Sequence, residues 1–169
     1  MLAHRFAIFL LGAWIAASLF MVMVATQNFR AVDRLLAAPA AEAAQRIEAL
    51  GGRDAARMFL RHQASELNRY YFATWERAQI ALGLALLLML SRGSMTDRLV
   101  CVGMLAIVLA GRWWLTPEII QVGRAIDWIP QAASDPQRDY FWKLHGIYST
   151  AEVTKQLLGL VLAIRLIRK

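Results

Sequence analysis

Seven residues have side chains that could bind a ligand or take part in a reaction, and each of them lies in or beside an apolar segment. They are His145, Glu152, Lys155, Gln156, Glu76, Gln79 and Arg112. A charged side chain near the centre of a bilayer costs roughly 2.5–3.5 kcal/mol on insertion scales, so such groups usually face other helices or a water-filled cavity. Because these residues fall towards the same side of their segments, the sequence predicts a ligand-binding pocket on one side of a membrane.

The polar residues also share a helical phase. One stripe comprises His145, Ser149, Glu152, Gln156, Gly159 and Ala163, and a second comprises Phe72, Glu76, Gln79 and Gly83. Both stripes have polar residues towards one end and small residues towards the other. We therefore expect the two stripes to pack face to face beneath a polar cavity that opens outward. Two other interpretations stay open. The charged members form ion pairs that hold the helices in register, or their long side chains extend to the membrane surface.

Little else in the sequence indicates a catalytic or metal site. It contains no nucleophile elbow, no glycine-rich phosphate loop and no zinc-ligand spacing. Met21 and Met23 are two residues apart and would point to different faces of a helix, which argues against a soft-metal site. His145 is the one candidate metal ligand. We therefore expect a binding protein rather than an enzyme.

The composition indicates a membrane protein. Hydrophobic residues make up 59% of the 169 residues and charged residues only 18%, whereas soluble domains have about 25% charged residues. One small soluble core cannot hold all of these apolar side chains, so we expect lipid to surround many of them. The net charge of +7 comes from residues that flank apolar runs, so it favours a membrane surface over nucleic acid. The single cysteine, Cys101, excludes a disulfide framework.

The predicted fold class is all-α, an integral membrane four-helix transmembrane bundle that forms a single membrane domain over residues 1–169. The predicted spans are residues 6–26, 72–91, 98–116 and 147–165, each long enough for the ~30 Å hydrocarbon layer. The connection at residues 28–71 and an interfacial helix at residues 117–128 should be helical as well, on the outer side. Small residues four apart should bring the spans close together. These pairs are Gly12 and Ala16, Ala13 and Ala17, Ala81 and Ala85, Ala106 and Ala110, and Gly159 and Ala163.

Three local signals predict helix boundaries outside the spans. Gly51 and Gly52 should break the outer connection. Thr116 should cap a helix that has Pro117 at its first position. Asp135, followed by a proline, repeats that signal, so one helix should run from there through the fourth span.

The distribution of basic residues predicts the orientation. The residues that flank the spans on one side are Arg5, Arg92, Arg98, Arg165, Arg168 and Lys169. Short basic segments stay in the cytoplasm, so both termini should be cytoplasmic in a multi-pass protein of the inner (plasma) membrane. Tryptophan and tyrosine residues cluster at the opposite ends of the spans, where amphipathic rings favour the interface.

Several short motifs resemble a known group of membrane proteins. The fourth segment reads Phe141-Trp142-Lys143-Leu144-His145-Gly146, and the first span contains Gly12-Ala13-Trp14 and ends in Asn28-Phe29-Arg30. Together these resemble four-helix bacterial membrane proteins similar to transmembrane protein 205, within the CopD and HemJ superfamily. The resemblance covers the membrane core and not the alanine-rich outer segment.

This resemblance implies a four-helix bundle with histidines near the helix ends. It also implies haem or copper as a cofactor or cargo. The alternatives to a binding protein are therefore a haem-dependent oxidoreductase with His145 as axial ligand, or a component of copper or small-solute transport. The expected partners are the lipid bilayer and either another protein or a second copy of the chain.

Overall fold

The computed structural model describes residues 2–129 and 134–168, and these residues form helices joined by short turns. Lys169, which entered the prediction of orientation, lies outside them. The helices are α1 (Leu2–Ala37), α2 (Ala41–Ala49), α3 (Arg53–Met89), α4 (Met95–Ala110), a π-helical turn (Gly111–Leu115), α5 (Thr116–Ile126) and α6 (Pro136–Ile167). The all-α prediction is confirmed.

Three stretches of helix are long and apolar enough to cross a membrane. They are Ala3–Ala37, Arg53–Met89 and Met95–Ile126, the last of which joins α4, the π turn and α5. The 32 residues of α6 are also long enough to cross, but Glu152, Lys155 and Gln156 interrupt its apolar run. Length and composition therefore support a membrane protein with at least three candidate spans.

The four long helices pack around one apolar core. α1 contacts α3 and α6, and α4 contacts the same two helices, so α3 and α6 lie on opposite sides of the core. α5 returns against α6. The buried residues of this core are Ala7, Leu11, Trp14, Leu86, Leu90, Cys101, Met104, Val108, Leu162 and Leu166. A smaller core of Val32, Leu36, Ala56 and Ala64 joins the outer ends of α1 and α3.

The predicted face-to-face packing of the second and fourth spans is not found at their glycines. A Cβ atom added to Gly83 on α3 would lie 2.9 Å from Leu105 Cδ1 of α4 and 3.1 Å from the Trp14 ring of α1. Gly159 on α6 likewise faces side chains of α1 and α4. The two glycines accommodate large side chains of the intervening helices, so α3 and α6 do not pack against each other there. They meet through side chains nearer the other end, where Lys155 donates to Gln79.

The small-residue pairs also differ from expectation. Gly159 is buried, but Gly12, Ala13, Ala81 and Ala106 are exposed on the outer surface of the helices. Only the pair on α6 therefore lies at a helix contact. A spacing of four residues identifies a face of a helix, but it does not say whether that face meets a helix or lipid.

The local boundary signals are confirmed at two of three places. Gly51 and Gly52 have φ angles of 95° and 90°, which favour glycine, and they separate α2 from α3. The Asp135 side chain caps α6 by accepting a hydrogen bond from the Gln137 backbone amide at 2.7 Å. Thr116 is not a helix cap, because the π turn leads into α5 without leaving helical geometry.

The packing at Gly83 predicts a position-dependent effect. Gly83→Leu should lower the thermal unfolding midpoint in detergent, because overpacking a core of this kind typically costs about 1–3 kcal/mol. Gly12→Leu is the matched control, since nothing lies within 4 Å of a Cβ at that position. Equal midpoints for the two variants would contradict the described packing.

Candidate functional site

Lys155 is the centre of a buried polar cluster between the helices. Its side chain is 1% exposed, and its ammonium group donates hydrogen bonds to both carboxylate oxygens of Glu152 at 2.6 Å. It also donates to Gln79 Oε1 across the core. The same oxygen accepts a hydrogen bond from Trp14 Nε1 at 2.9 Å. These contacts connect α6, α3 and α1 through one amide oxygen.

Glu76 lies one helical turn before Gln79 and is also buried. Its Oε1 accepts a hydrogen bond from the Thr116 hydroxyl group of α5. Its Oε2 lies 3.8 Å from Arg112 Nε and has no hydrogen-bond partner within the described part of the chain. Glu76 therefore connects α3 to both the π turn and α5.

The π turn positions Arg112. Such turns disturb the usual helical ladder and are frequent at functional sites. Arg112 faces Glu76 and is 31% exposed, while the neighbouring Trp113 and Trp114 are 63% and 78% exposed. The turn thus presents one guanidinium to the interior and two indole rings to the surroundings.

Five of the seven predicted site residues meet in this cluster. They are Glu76, Gln79, Arg112, Glu152 and Lys155. Gln156, which is half-buried, has no hydrogen bond to the cluster within the described ranges, so its place in the pocket stays a prediction. His145 is exposed, and its ring stacks on Phe141 with 5.9 Å between centroids.

The buried face of α6 is shifted by one residue from the predicted stripe. The buried residues are Leu144, Lys155, Gly159, Leu162 and Leu166, whereas His145 and Ser149 are exposed. The predicted stripe agrees with the buried face at Gly159 and departs from it at His145 and Ser149, and Lys155 takes the central position. Burial of this lysine is tolerable because Glu152 and Gln79 supply acceptors for its charge.

Sequence reasoning missed two members of the cluster. Trp14 was read as part of an apolar span, although a buried indole N–H usually requires an acceptor. Thr116 was assigned to a helix cap, and the π turn that redirects its hydroxyl group to Glu76 has no known sequence signature. The indole in mid-span was the signal that could have identified Trp14.

The electrostatics of the cluster favour a small polar ligand. Two carboxylates, Glu76 and Glu152, face two cations, Arg112 and Lys155, so the formal charges cancel. Gln79 Nε2 is a buried donor and Glu76 Oε2 is a buried acceptor, and neither has a hydrogen-bond partner among the described residues. Each such group costs about 1–3 kcal/mol when it is left without a hydrogen bond. A ligand with both a donor and an acceptor would relieve this cost.

A shallow cavity of about 510 Å³ lies beside the cluster. Its lining comprises Arg112, Pro117, Ile120, Gln121 and Arg124. This cavity lies between the π turn and α5, and of the predicted site residues only Arg112 lines it. Arg112 therefore belongs to both the cavity and the buried cluster. A second cavity of about 370 Å³ lies among the outer ends of α1, α2 and α3.

A separate ion-pair cluster attaches α5 to the outer part of α3. Asp127 accepts hydrogen bonds from His62 at 2.8 Å and from both terminal nitrogens of Arg69 at 2.8 and 3.0 Å. Glu66 accepts from Arg124 at 2.9 and 3.0 Å. The ligand atoms of His62, Glu66 and Asp127 lie within 4.8 Å of one another, which would suit a metal ion. The two arginines already engage the carboxylates, so the cluster is well explained as a structural contact.

The histidines are distributed over three places. His4 Nε2 lies 2.8 Å from the Leu166 carbonyl oxygen, at the opposite end of the helices from His62. His145 packs against Phe141 and Trp142. A bis-histidine haem site would need two of these rings on opposite faces of one porphyrin, and the described positions do not bring two together.

Comparisons of the chain with protein-family models, with curated proteins and with solved structures found no match. The resemblance to transmembrane protein 205 and to the CopD and HemJ superfamily therefore stays a prediction from short motifs. The functional argument has to rest on the geometry of the polar cluster.

The lysine at the centre of the cluster yields a stability prediction. Lys155→Met should lower the free energy of unfolding by roughly 1–3 kcal/mol, because it leaves the half-buried Glu152 carboxylate without its cation and Gln79 Oε1 without one of its donors. Adding Glu152→Gln should recover part of that loss. Thermal unfolding in detergent measures both effects, with Lys143→Met, an exposed lysine on the same helix, as the control. An unchanged midpoint for Lys155→Met would show that the ion pair is not buried.

The ion pairs of Glu66 yield a pH prediction. Hydrogen bonding from Arg124, aided by Arg69 and opposed by burial, lowers the pKa of Glu66 from 4.5 to about 2. A lowered pKa means that the ionised group stabilises the contact above pH 4.5 and that this contribution is lost as the pH falls towards 2. Amide hydrogen exchange in α5, corrected for intrinsic rates, should therefore speed up below pH 4.5. Glu66→Gln should remove this dependence, and a dependence that survives would contradict the assignment.

Proposed function

We propose that this chain is a non-enzymatic, multi-pass protein of the inner membrane that binds a small polar or amphipathic ligand from the outer side. In this proposal α1, α3, α4 and α6 form a four-helix transmembrane bundle with both termini in the cytoplasm. The ligand contacts Gln79 and Glu76 at the buried cluster and reaches them past Arg112.

The surface of α6 supports its role as the fourth span. The charges of Glu152 and Lys155 neutralise each other at 2.6 Å. The exposed face of the same stretch is apolar, with Val153, Leu157, Leu160, Val161 and Ile164. Lipid is the solvent that suits such a face, because ionisable groups inside membranes are usually paired and turned towards the helix bundle.

The flanking residues support the orientation. Arg5, Arg92 and Arg98 lie at the same end of the helices as Arg165, which pairs with Asp97 at 2.7 Å. Exposed tryptophans at 113 and 114 lie at the other end, beside the polar cluster. Basic residues favour the cytoplasmic side and tryptophans favour an interface, so the cluster would open away from the cytoplasm.

The observation that carries the ligand proposal is the pair of unsatisfied groups on α3. Gln79 Nε2 and Glu76 Oε2 are buried, chemically complementary to a donor–acceptor ligand, and one helical turn apart. Buried polar groups in native proteins are nearly always hydrogen-bonded. A structural ion-pair network alone would have no need for an unpaired amide at its centre.

The topology is testable with single cysteines in a chain that carries Cys101→Ser. Cysteines at Gly93 and Arg168 should react with a membrane-impermeant maleimide only after the membrane is permeabilised. Cysteines at Gly52 and Asp135 should react in intact spheroplasts. Labelling of the Arg168 and Asp135 positions from the same side would exclude α6 as a span.

Ligand binding is testable by native mass spectrometry of protein extracted from its own membranes in a mild detergent. The wild-type protein should carry a small-molecule adduct that Gln79→Leu loses. Gln63→Leu, which alters an exposed glutamine of the same helix, should keep it. Equal occupancy of the two variants, or no adduct on the wild type, would refute the proposal. An absorption spectrum with a Soret band that His145→Ala abolishes would instead favour the haem-dependent alternative.

A further inference from the structure

Arg112 is shared between the buried cluster and the outer cavity. Its Nε lies 3.8 Å from Glu76 Oε2, and its side chain also lines the cavity of about 510 Å³. Arg112 is the lining residue that carries a charge next to the cluster. A molecule in the cavity would therefore meet the cluster first through this guanidinium.

The ion pair between Arg112 and Glu76 is loose enough to exchange. Its separation of 3.8 Å exceeds hydrogen-bond distance, whereas Lys155 and Glu152 lie 2.6 Å apart. A guanidinium binds a carboxylate most strongly through two parallel hydrogen bonds. A ligand carboxylate that reached Arg112 from the cavity could make both bonds and displace Glu76.

Displacement would leave Glu76 as a buried carboxylate without a cation of its own. The groups around it are the Thr116 hydroxyl of α5 and, on α6, Tyr148, Glu152 and Lys155. Lys155 is engaged by Glu152, so it does not substitute for Arg112. An uncompensated buried charge is strongly unfavourable. A proton from the aqueous phase on the outer side restores the charge balance. The bond to hydrogen in hydronium or a buffer acid breaks, an O–H bond forms at Glu76 Oε2, and one positive charge is added for each anion bound.

We infer that the ligand is a small amphipathic monocarboxylate and that its binding is coupled to the uptake of one proton by Glu76. This inference rests on the proposed function and names the ligand class of that site: the ligand carboxylate supplies the acceptor for Gln79 Nε2, and protonated Glu76 supplies the donor that an ionised carboxylate lacks. Pro117 and Ile120 supply an apolar wall next to Arg112, which suits a short alkyl chain attached to the carboxylate. The cavity is open to its surroundings, and its volume suits a small molecule whose alkyl chain lies along that wall.

Octanoate is a suitable probe for calorimetric titration of the full chain in phosphatidylcholine nanodiscs. Titrations in buffers with different ionisation enthalpies should report about one proton taken up for each octanoate bound. The affinity should then fall about tenfold for each unit of pH increase, since binding and protonation are linked. Proton uptake near zero, or an affinity independent of pH, would overturn the inference.

Variants identify the groups responsible. Glu76→Gln should bind octanoate with no proton uptake and no pH dependence, because its side chain is already neutral. Arg112→Gln should abolish octanoate binding. Arg112→Lys keeps the positive charge but not the paired hydrogen bonds, so it should weaken octanoate binding. Arg77→Gln, which changes an exposed arginine next to Glu76 on α3, is the matched control and should behave as the wild type. Thermal unfolding midpoints for each variant establish that it is folded before it is titrated.

Three outcomes would overturn the inference in distinguishable ways. Octanoate binding that survives Arg112→Gln would place the anion elsewhere. Displacement of octanoate by an equal concentration of inorganic phosphate at constant ionic strength would identify a phosphate group as the preferred occupant of the site. Absence of octanoate binding by a wild-type protein whose native adduct depends on Gln79 would refute the carboxylate and leave the proposed function in place.

Discussion

The structure depends on how one buried ammonium group is neutralised. Lys155 lies among helices whose outer faces are apolar, where an unpaired charge would be strongly unfavourable. Glu152 supplies the countercharge from the same helix, and Gln79 supplies a neutral acceptor from the opposite side of the core. The helices must keep their relative depth and rotation for these contacts to form. Lys155 therefore constrains the register of the packing as well as the charge of the interior.

Other features of the core follow from that constraint. α3 and α6 lie on opposite sides of the core, and Lys155 reaches Gln79 across it. Other side chains must fill the rest of the space between the two helices. Trp14 fills part of it from α1, packs next to Gly83 and donates its indole N–H to the same amide oxygen as Lys155. The π turn contributes from the other side by directing Arg112 towards Glu76. Apolar packing and polar contacts thus position the same side chains.

The sequence was sufficient to predict the helical class and most of the cluster, because charged residues inside apolar runs have few stable environments. Glu76, Gln79, Glu152, Lys155 and Arg112 were identified on that basis. The sequence could not give the arrangement of helices around the core. Periodicity defines a face, but the partner of that face depends on tertiary packing, so His145, Ser149 and the exposed Gly12 were misassigned. The π turn was missed because it is set by contacts with Glu76 and Thr116 rather than by a local motif.

The central claim is that side chains from α6, α3 and α1 meet at one buried amide oxygen. An experimental structure of the protein in a lipid mesophase or nanodisc tests it most directly. The account predicts density for Lys155 Nζ and Trp14 Nε1 within hydrogen-bond distance of Gln79, with Glu152 on the lysine. Density that shows Lys155 extended to the membrane surface, or Gln79 surrounded only by apolar side chains, would contradict the account.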